Sequence, residues 1–230
     1  MLEVLKKQVC DANLELVKHG LVVLTWGNAS GIDRAENLVV IKPSGVPYDG
    51  MRPEHMVVVD MDGNKVEGRF NPSVDTPAHL ALYRAWPEIG GVVHTHSHYA
   101  TCWAQACRPI PCFGTTHADF AYGDVPVTIP LSEQEIADRY EHHIGQAIVR
   151  RFEGLNPMQY PGVLAAKHAP FTWGKNAAAA VENAFILEEV AKMALNTLAI
   201  NNETRAIEQY LLDKHFLRKH GPGAYYGQKK

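Results

Sequence analysis

Early in the chain, strand-like runs follow one another across connections too short for a parallel crossover, and this limits the fold more than any other feature. LVVLTW (21–26) and LVVIK (38–42) are rich in β-branched and apolar residues and flank the eleven-residue segment GNASGIDRAEN. Parallel neighbours need a connection of a dozen or more residues, so these two runs are expected to pair antiparallel. HMVVVDM (55–61) then meets KVEGRF (65–70) across Asp62-Gly63-Asn64, a hairpin signal.

Elsewhere the apolar period is helical. Leu2, Leu5, Val9, Leu14 and Val17 sit near helical spacing and stop at Gly20, which predicts an opening amphipathic helix. SVDTPAHLALYRAWP predicts a helix starting at Ser73 or Asp75 and ending before Pro87. GGVVHTHS reads as a buried strand, HYATCWAQAC as a short helix and GTTHADFAYGDVP as a loop. LSEQEIADRYEHHIGQAIVRRF reads as one long helix from Ser132, opened by a Ser-x-x-Glu capping box. GVLAAKHAPFTWG supplies a further strand and turn, NAAAAVENAFILEEVAKMALNTLAI a second long helix, and LLDKHFLRKHGPGAYYGQKK a helix followed by a tail. There are no internal repeats or linkers. The expectation is an α/β chain with a mixed, largely antiparallel sheet covered by helices.

The 230 residues suffice for one domain with a substantial core, and 46% hydrophobic with 20% charged residues is ordinary for a globular chain. A net charge of −3 argues against a nucleic-acid footprint or a polybasic membrane surface. Small molecules or copies of itself are the expected partners. The N-terminal segment carries charges every few residues and lacks the apolar core of a signal peptide, so a cytoplasmic location is expected. Cys10, Cys102, Cys107 and Cys112 form no CxxC pair and read as reduced packing residues.

Chemistry is concentrated in a few short stretches. In an extended strand His94 and His96 point to one face, as two ligands of one metal must, although the same pattern also suits a hydrogen-bonded structural pair. His98 continues the alternation only if the strand continues. His168, before Ala169-Pro170, ends another apolar run from which a side chain can reach the same point. Asp75 stands at a helix start, as an N-cap, an oxygen ligand or a base. GNAS (27–30), KPSG (42–45) and PSVD (72–75) are Gly/Ser/Asn/Pro loops after strands, either ordinary turns or cradles for an anion, with Lys42 adding a positive charge. Asp119 and Tyr226 are ionisable groups on segments with no evident packing role.

Taken together, LTWGNAS, VIKPSGV, PSVDTPAH, IGGVVHTHS, GTTHAD, PGVLAAKHAPFTWGKNA and LLDKHFLRKHG with AYYGQ resemble the class II (fuculose-type) aldolase/epimerase family over essentially the whole chain. The resemblance implies one domain over residues 1–230 with a three-layer α/β/α sandwich, whose C-terminal tail from about 211 contributes to a neighbouring subunit's active site in a four-fold homotetramer. It implies a zinc-dependent epimerase, with manganese or cobalt as substitutes, interconverting L-ribulose 5-phosphate and D-xylulose 5-phosphate in L-arabinose or related pentose breakdown. The implied metal ligands are His94, His96 and His168, with Asp75 weaker. The implied acid/base pair is Asp119 and Tyr226, the tyrosine reaching in from an adjacent subunit. Implied substrate contacts are Gly27, Asn28, Lys42, Ser44, Gly45, Ser73, Val74, Thr116, Glu141, His215 and Arg218.

The chemistry follows independently of the resemblance. Carbon 4 of a 2-ketopentose is not adjacent to the carbonyl, so inverting it needs transient oxidation or cleavage of a neighbouring carbon–carbon bond. No G-x-G-x-x-G follows a strand, which leaves the nicotinamide route without equipment. Retro-aldol cleavage between carbons 3 and 4 gives a dihydroxyacetone enediolate and glycolaldehyde phosphate, a charge separation that a divalent ion stabilises. The family pattern Ser-Ser-Asp is here Ser73-Val74-Asp75. A lost hydroxyl contact to phosphate is worth about 1.5–3 kcal/mol, so an unphosphorylated ketose is an alternative substrate. An aldolase that releases its two fragments is the other alternative.

Overall fold

The computed structural model describes residues 2–228, so the last two residues of the predicted tail lie outside the described residues. Helix α1 (Leu2–Lys18) buries Val9, Cys10, Ala12 and Leu16 on one stripe and ends before Gly20, whose φ of 67° is the left-handed conformation expected there. Strands β1 (Asn28–Asp33), β2 (Leu38–Ile41), β3 (Val57–Asp60) and β4 (Lys65–Glu67) follow. Then come α2 (Thr76–Ala85), β5 (Gly91–His94), α3 (His98–Gln105), α4 (Thr115–Ala118), α5 (Glu133–Ala137) and α6 (Tyr140–Arg151). The chain closes with β6 (Gly162–Leu164), β7 (Pro170–Gly174), α7 (Ala177–Ile200) and α8 (Gln209–His220).

Among the described residues seven strands form one sheet in the order β4-β3-β2-β1-β5-β7-β6. Every pairing between them is antiparallel. The parallel component of the expected mixed sheet shrinks to an isolated bridge between Val127 and Leu164. Alternate residues of the strands feed two cores. Val39, Val57, Val59 and Val92 pack under α2 and α6, while Ala29, Val40, Val58 and Val93 pack under α1 and the start of α7. The result is the expected three-layer α/β/α sandwich.

Two expectations need correcting. LVVLTW is not a strand: the pairing falls on NASGID, the segment read from sequence as a connection. Val23, Leu24 and Trp26 are exposed, and Leu24 takes a left-handed φ of 53°. Packing overrides propensity here. A Cβ on Gly31 would stand 2.9 Å from the Leu5 Cδ1 and 3.0 Å from the Val9 Cγ2, so glycine at this position lets α1 lie close against β1 without moving those side chains. The single long helix from Ser132 is instead two, α5 and α6, because Asp138 leaves the helical region with φ −88° and ψ −139°. The capping box at Ser132 and Glu135 is present. Helix α5 buries nothing, whereas α6 buries Ile144, Gly145, Ala147 and Ile148, and the break lets α6 take its own direction against α2. The GTTHAD loop contains the short helix α4, and no described helix is long and apolar enough to cross a membrane.

Candidate metal centre

β5 ends at His94, and the Thr95 amide still donates to the Pro170 carbonyl at 3.4 Å, which extends the chain far enough to carry His96 alongside. His168 comes from the tight turn between β6 and β7, where Lys167 takes a left-handed φ of 63° and the His168 amide donates to the Ala165 carbonyl at 3.0 Å. β5 and β7 are neighbours in the sheet, so the turn arrives beside the end of β5. His98, the first residue of α3, is exposed and outside this group.

The ligand nitrogens of His94, His96 and His168 all lie within 4.8 Å of one another. His94 Nδ1 lies 3.0 Å from the Pro170 carbonyl oxygen, to which it donates, so its proton is on Nδ1 and its Nε2 lone pair is free. That Nε2 is 3.2 Å from His168 Nε2. Nitrogens bound to one tetrahedral ion at about 2.0–2.1 Å stand about 3.3–3.4 Å apart, so the spacing is that of two ligands sharing a cation. Burial, then the neighbouring His94, pushes His96 down to about 4 and His168 down to about 3, which keeps both imidazoles neutral and able to donate lone pairs at neutral pH. Nitrogen-rich and partly open to a cavity, the set fits a divalent ion.

Asp75 lies at the start of α2, where its side chain makes no cap hydrogen bond. Its Oδ2 accepts instead from Asn28 Nδ2 at 2.7 Å. Burial raises the Asp75 pKa, but His94, His79 and the Asn28 amide outweigh it, and the carboxyl lies below its ordinary value. Ser73 is buried between Asn28 Nδ2, at 3.1 Å from its hydroxyl, and the Asp75 carboxylate. Gly27 takes a φ of 77°, and a Cβ there would lie 3.0 Å from the His94 carbonyl oxygen, so the loop requires glycine to pass this close to the end of β5.

A cavity of about 400 Å³ opens over these groups and is lined also by Lys42, Ser44, Gly45, Val74 and Glu141. Lys42 is only 2% exposed, and no carboxylate pairs with it among the described residues. Its Nζ donates to the Thr25 carbonyl at 3.3 Å and the Pro43 carbonyl at 3.4 Å and stands 4.7 Å from the centre of the Tyr48 ring. Burial lowers it to about 8. Val74 is 61% exposed at the cavity mouth.

The remaining expected residues lie elsewhere on the chain. Thr116 lines a separate cavity with Pro111, His117 and Met193. Asp119 follows α4 and is bound by α8: Arg218 donates to it through Nε at 3.2 Å and Nη2 at 2.7 Å, with His215 Nδ1 at 3.1 Å and Lys219 Nζ at 3.4 Å. Burial raises the Asp119 pKa, while the hydrogen bonds from Arg218 and His215 more than reverse it. The Tyr226 ring lies 4.4 Å from Lys219 Nζ and 5.2 Å from the Arg218 guanidinium, and is 62% exposed. Thus Asp119, His215, Arg218 and Tyr226 form a second cluster, apart from the histidine cavity of the same chain.

Sequence reasoning missed two neighbours of the centre. The Tyr140 hydroxyl stands 3.3 Å from His168 Nδ1 and lines the cavity, a position hidden by reading α5 and α6 as one helix. His79, one helical turn beyond Asp75, is buried behind it, and the i, i+4 spacing of Asp75 and His79 was its available signal.

The profile of the Class II Aldolase and Adducin N-terminal domain family matches residues 7–195. L-ribulose-5-phosphate 4-epimerase UlaF of Salmonella paratyphi B and that of Salmonella typhi are each 56% identical over 225 residues, covering 98% of this chain and 99% of theirs. Among solved structures, an L-fuculose 1-phosphate aldolase superposes with a TM-score of 0.78 at 25% identity, over 92% of this chain and 94% of that one. The L-fuculose-1-phosphate aldolase of Thermus thermophilus shares the fold, with a TM-score of 0.66 at 20% identity over 88% of this chain and 98% of that one. With a profile spanning most of the chain and relatives aligned nearly end to end, the chain belongs to the class II aldolase and adducin N-terminal domain family.

Proposed function

We propose that the chain is a zinc-dependent 4-epimerase that interconverts L-ribulose 5-phosphate and D-xylulose 5-phosphate by retro-aldol cleavage and re-addition. The observation that carries the reading is the 3.2 Å approach of two ring nitrogens, from His94 and His168, in the cavity that also holds Lys42. The end-to-end likeness to proteins named L-ribulose-5-phosphate 4-epimerase supports L-ribulose 5-phosphate as the substrate. His94, His96 and His168 hold the ion, with Asp75 as a weaker ligand. When bound, the ion supplies Lewis-acid stabilisation of the charge that develops on the ketose oxygens.

The protein's own groups do the rest. Lys42, with the Ser44 hydroxyl and the Gly45 amide, binds the phosphate as an anion. Asn28 and Ser73 hold Asp75 in place through the hydrogen bonds described above. Asp119 and Tyr226 exchange protons with the carbon 4 oxygen on opposite faces, one removing the hydroxyl proton and the other returning a proton after the aldehyde has rotated. Because Asp119 is bound to α8 of its own chain beside Tyr226, we place the pair together over the histidine cavity of an adjacent copy in a homotetramer. Thr116 and Glu141 then border the same shared site.

An aldolase that releases its fragments is the second reading, favoured by the structural likeness to L-fuculose 1-phosphate aldolase. Asp119→Asn separates the two. A lost general acid/base is expected to cut epimerisation by about 10²–10⁴-fold, while slow release of dihydroxyacetone and glycolaldehyde phosphate persists. NMR of the product mixture measures both. Undiminished epimerisation would remove Asp119 from the mechanism, and rapid fragment release by the unaltered chain would favour the aldolase.

A further inference from the structure

β1 and α2 face each other through a polar ladder in an otherwise apolar layer. Asn28 and Ser30 lie two apart on β1 and so share a face; Asp75, His79 and Tyr83 lie four apart at the start of and along α2 and so share a stripe. The first rung joins Asn28 Nδ2 to Asp75 Oδ2 at 2.7 Å. In the second, Ser30 Oγ lies 2.7 Å from His79 Nδ1 and 2.8 Å from the Tyr83 hydroxyl. His79 is 0% exposed, with its ring edge-on to Phe171 at 6.1 Å.

Hydrogen directions in this ladder follow from satisfaction. Ser30 Oγ is the partner of the buried Tyr83 hydroxyl, which therefore donates to it. Ser30 then places its own hydrogen on His79 Nδ1; the reverse arrangement strands a buried hydroxyl hydrogen. His79 thus carries its proton on Nε2. That Nε2–H has no partner among the described residues, and neither does Asn28 Oδ1. One is a donor and the other an acceptor, and both residues contact Asp75, Asn28 through its Nδ2 at 2.7 Å and His79 through its main-chain amide at 3.2 Å from the Asp75 carbonyl.

We propose that His79 is a positioning residue for Asp75. Its Nε2–H and Asn28 Oδ1 hold one internal water, which gives its second hydrogen to the Asp75 carboxylate and fixes it toward His94, His96 and His168. One water satisfies all three groups, the usual number for a buried molecule. The inference rests on the reading of the histidines with Asp75 as a metal site. Partners behind metal ligands typically govern affinity by 10–100-fold.

Cobalt(II) titration of the metal-free full chain against a competing chelator, followed by the visible absorption of bound cobalt, tests this directly. His79→Asn keeps an acceptor near the Nδ1 position for Ser30 but removes the Nε2 donor, and is expected to weaken cobalt binding about 10–100-fold. His79→Gln restores a donor near the Nε2 position and is expected to bind within about threefold of the unaltered chain. Asp75→Asn is expected to weaken binding comparably, and Asp75→Asn with His79→Asn no further than Asp75→Asn alone. Circular dichroism and thermal unfolding check that each variant folds. If His79→Asn does not fold, Ser30→Ala, which releases Nδ1 and frees the proton to leave Nε2, is expected to weaken cobalt about tenfold.

Unchanged affinity in folded His79→Asn, equal losses in His79→Asn and His79→Gln, or unchanged affinity in a Ser30→Ala stand-in would overturn the proposal. So would additive losses with Asp75→Asn. Absence of cobalt binding by the unaltered chain would instead sink the metal-site reading, whereas indifference to Asp75→Asn would remove Asp75 from the ligand set and leave the three histidines; either result overturns the role of His79.

Discussion

Lys42 keeps its charge against the burial around it, with carbonyls and an aromatic face for company and no carboxylate partner among the described residues. Its folded value of about 8, below the ordinary 10.5, has two opposite consequences. Between those values the unfolded chain binds the proton and the folded chain does not, so the fold gains stability as pH rises from 8 to 10.5, by roughly 3 kcal/mol. The proposed phosphate role of Lys42 needs its charge, so under that proposal KM for L-ribulose 5-phosphate is expected to climb above pH 8 while the fold grows more stable. Lys42→Met is expected to raise that KM about 10–100-fold, the worth of a charge-assisted hydrogen bond, and to leave turnover of free L-ribulose unchanged. Steady-state kinetics on both sugars checks it; equal effects would deny Lys42 a phosphate role. At this scale the sequence was readable where a residue type is rare in its setting. Alternating His94 and His96 on an apolar strand and Lys42 at a strand end were visible, whereas Tyr140 and His79 sit in helices where an aromatic or polar residue draws no notice.

Between elements, α6 crosses α2 at Gly145, where an added Cβ would lie 2.7 Å from the Ala81 Cβ and 2.9 Å from the Ala78 Cα. That close approach brings Tyr140 and Glu141, in the first turn of α6, to the cavity. Gly145→Ala is expected to destabilise the chain by about 1–3 kcal/mol and to lower turnover by displacing that turn. Denaturant unfolding alongside kinetics measures both; unchanged stability would show that the helices part without cost. Elements with strong periodicity, α1, α2 and α7, were legible in the sequence, as was the hairpin across Asp62-Gly63-Asn64. β1 was not, since its Asn, Ala, Ser and Gly residues are dictated by the nearness of α1 and by the polar ladder to α2, both long-range effects. The break at Asp138 was equally hidden, because both pieces keep a helical period across it.

For the whole molecule, the histidine cavity and the Asp119 and Tyr226 cluster lie apart within one chain, and the proposed homotetramer makes them halves of two different sites. Mixed assemblies of His96→Ala and Tyr226→Phe chains, each inactive alone, are expected to regain activity at roughly a quarter of their sites, the yield of random mixing in a cyclic tetramer. Failure to complement after verified subunit exchange would place both halves within one chain. A largely antiparallel sheet covered by helices was foreseeable from short connections and alternating periods, and its three-layer form from the family resemblance, but the proposed partition of the site was not legible from local pattern, since it depends on where α8 packs. In the proposed mechanism a metal held by His94, His96 and His168 is catalytic. Its most direct test is conversion of L-ribulose 5-phosphate to D-xylulose 5-phosphate before chelation, after it and after zinc is restored, with circular dichroism recorded at each stage. Loss and recovery of activity with the fold intact are expected; full activity in protein shown by elemental analysis to be metal-free would rule out a catalytic metal.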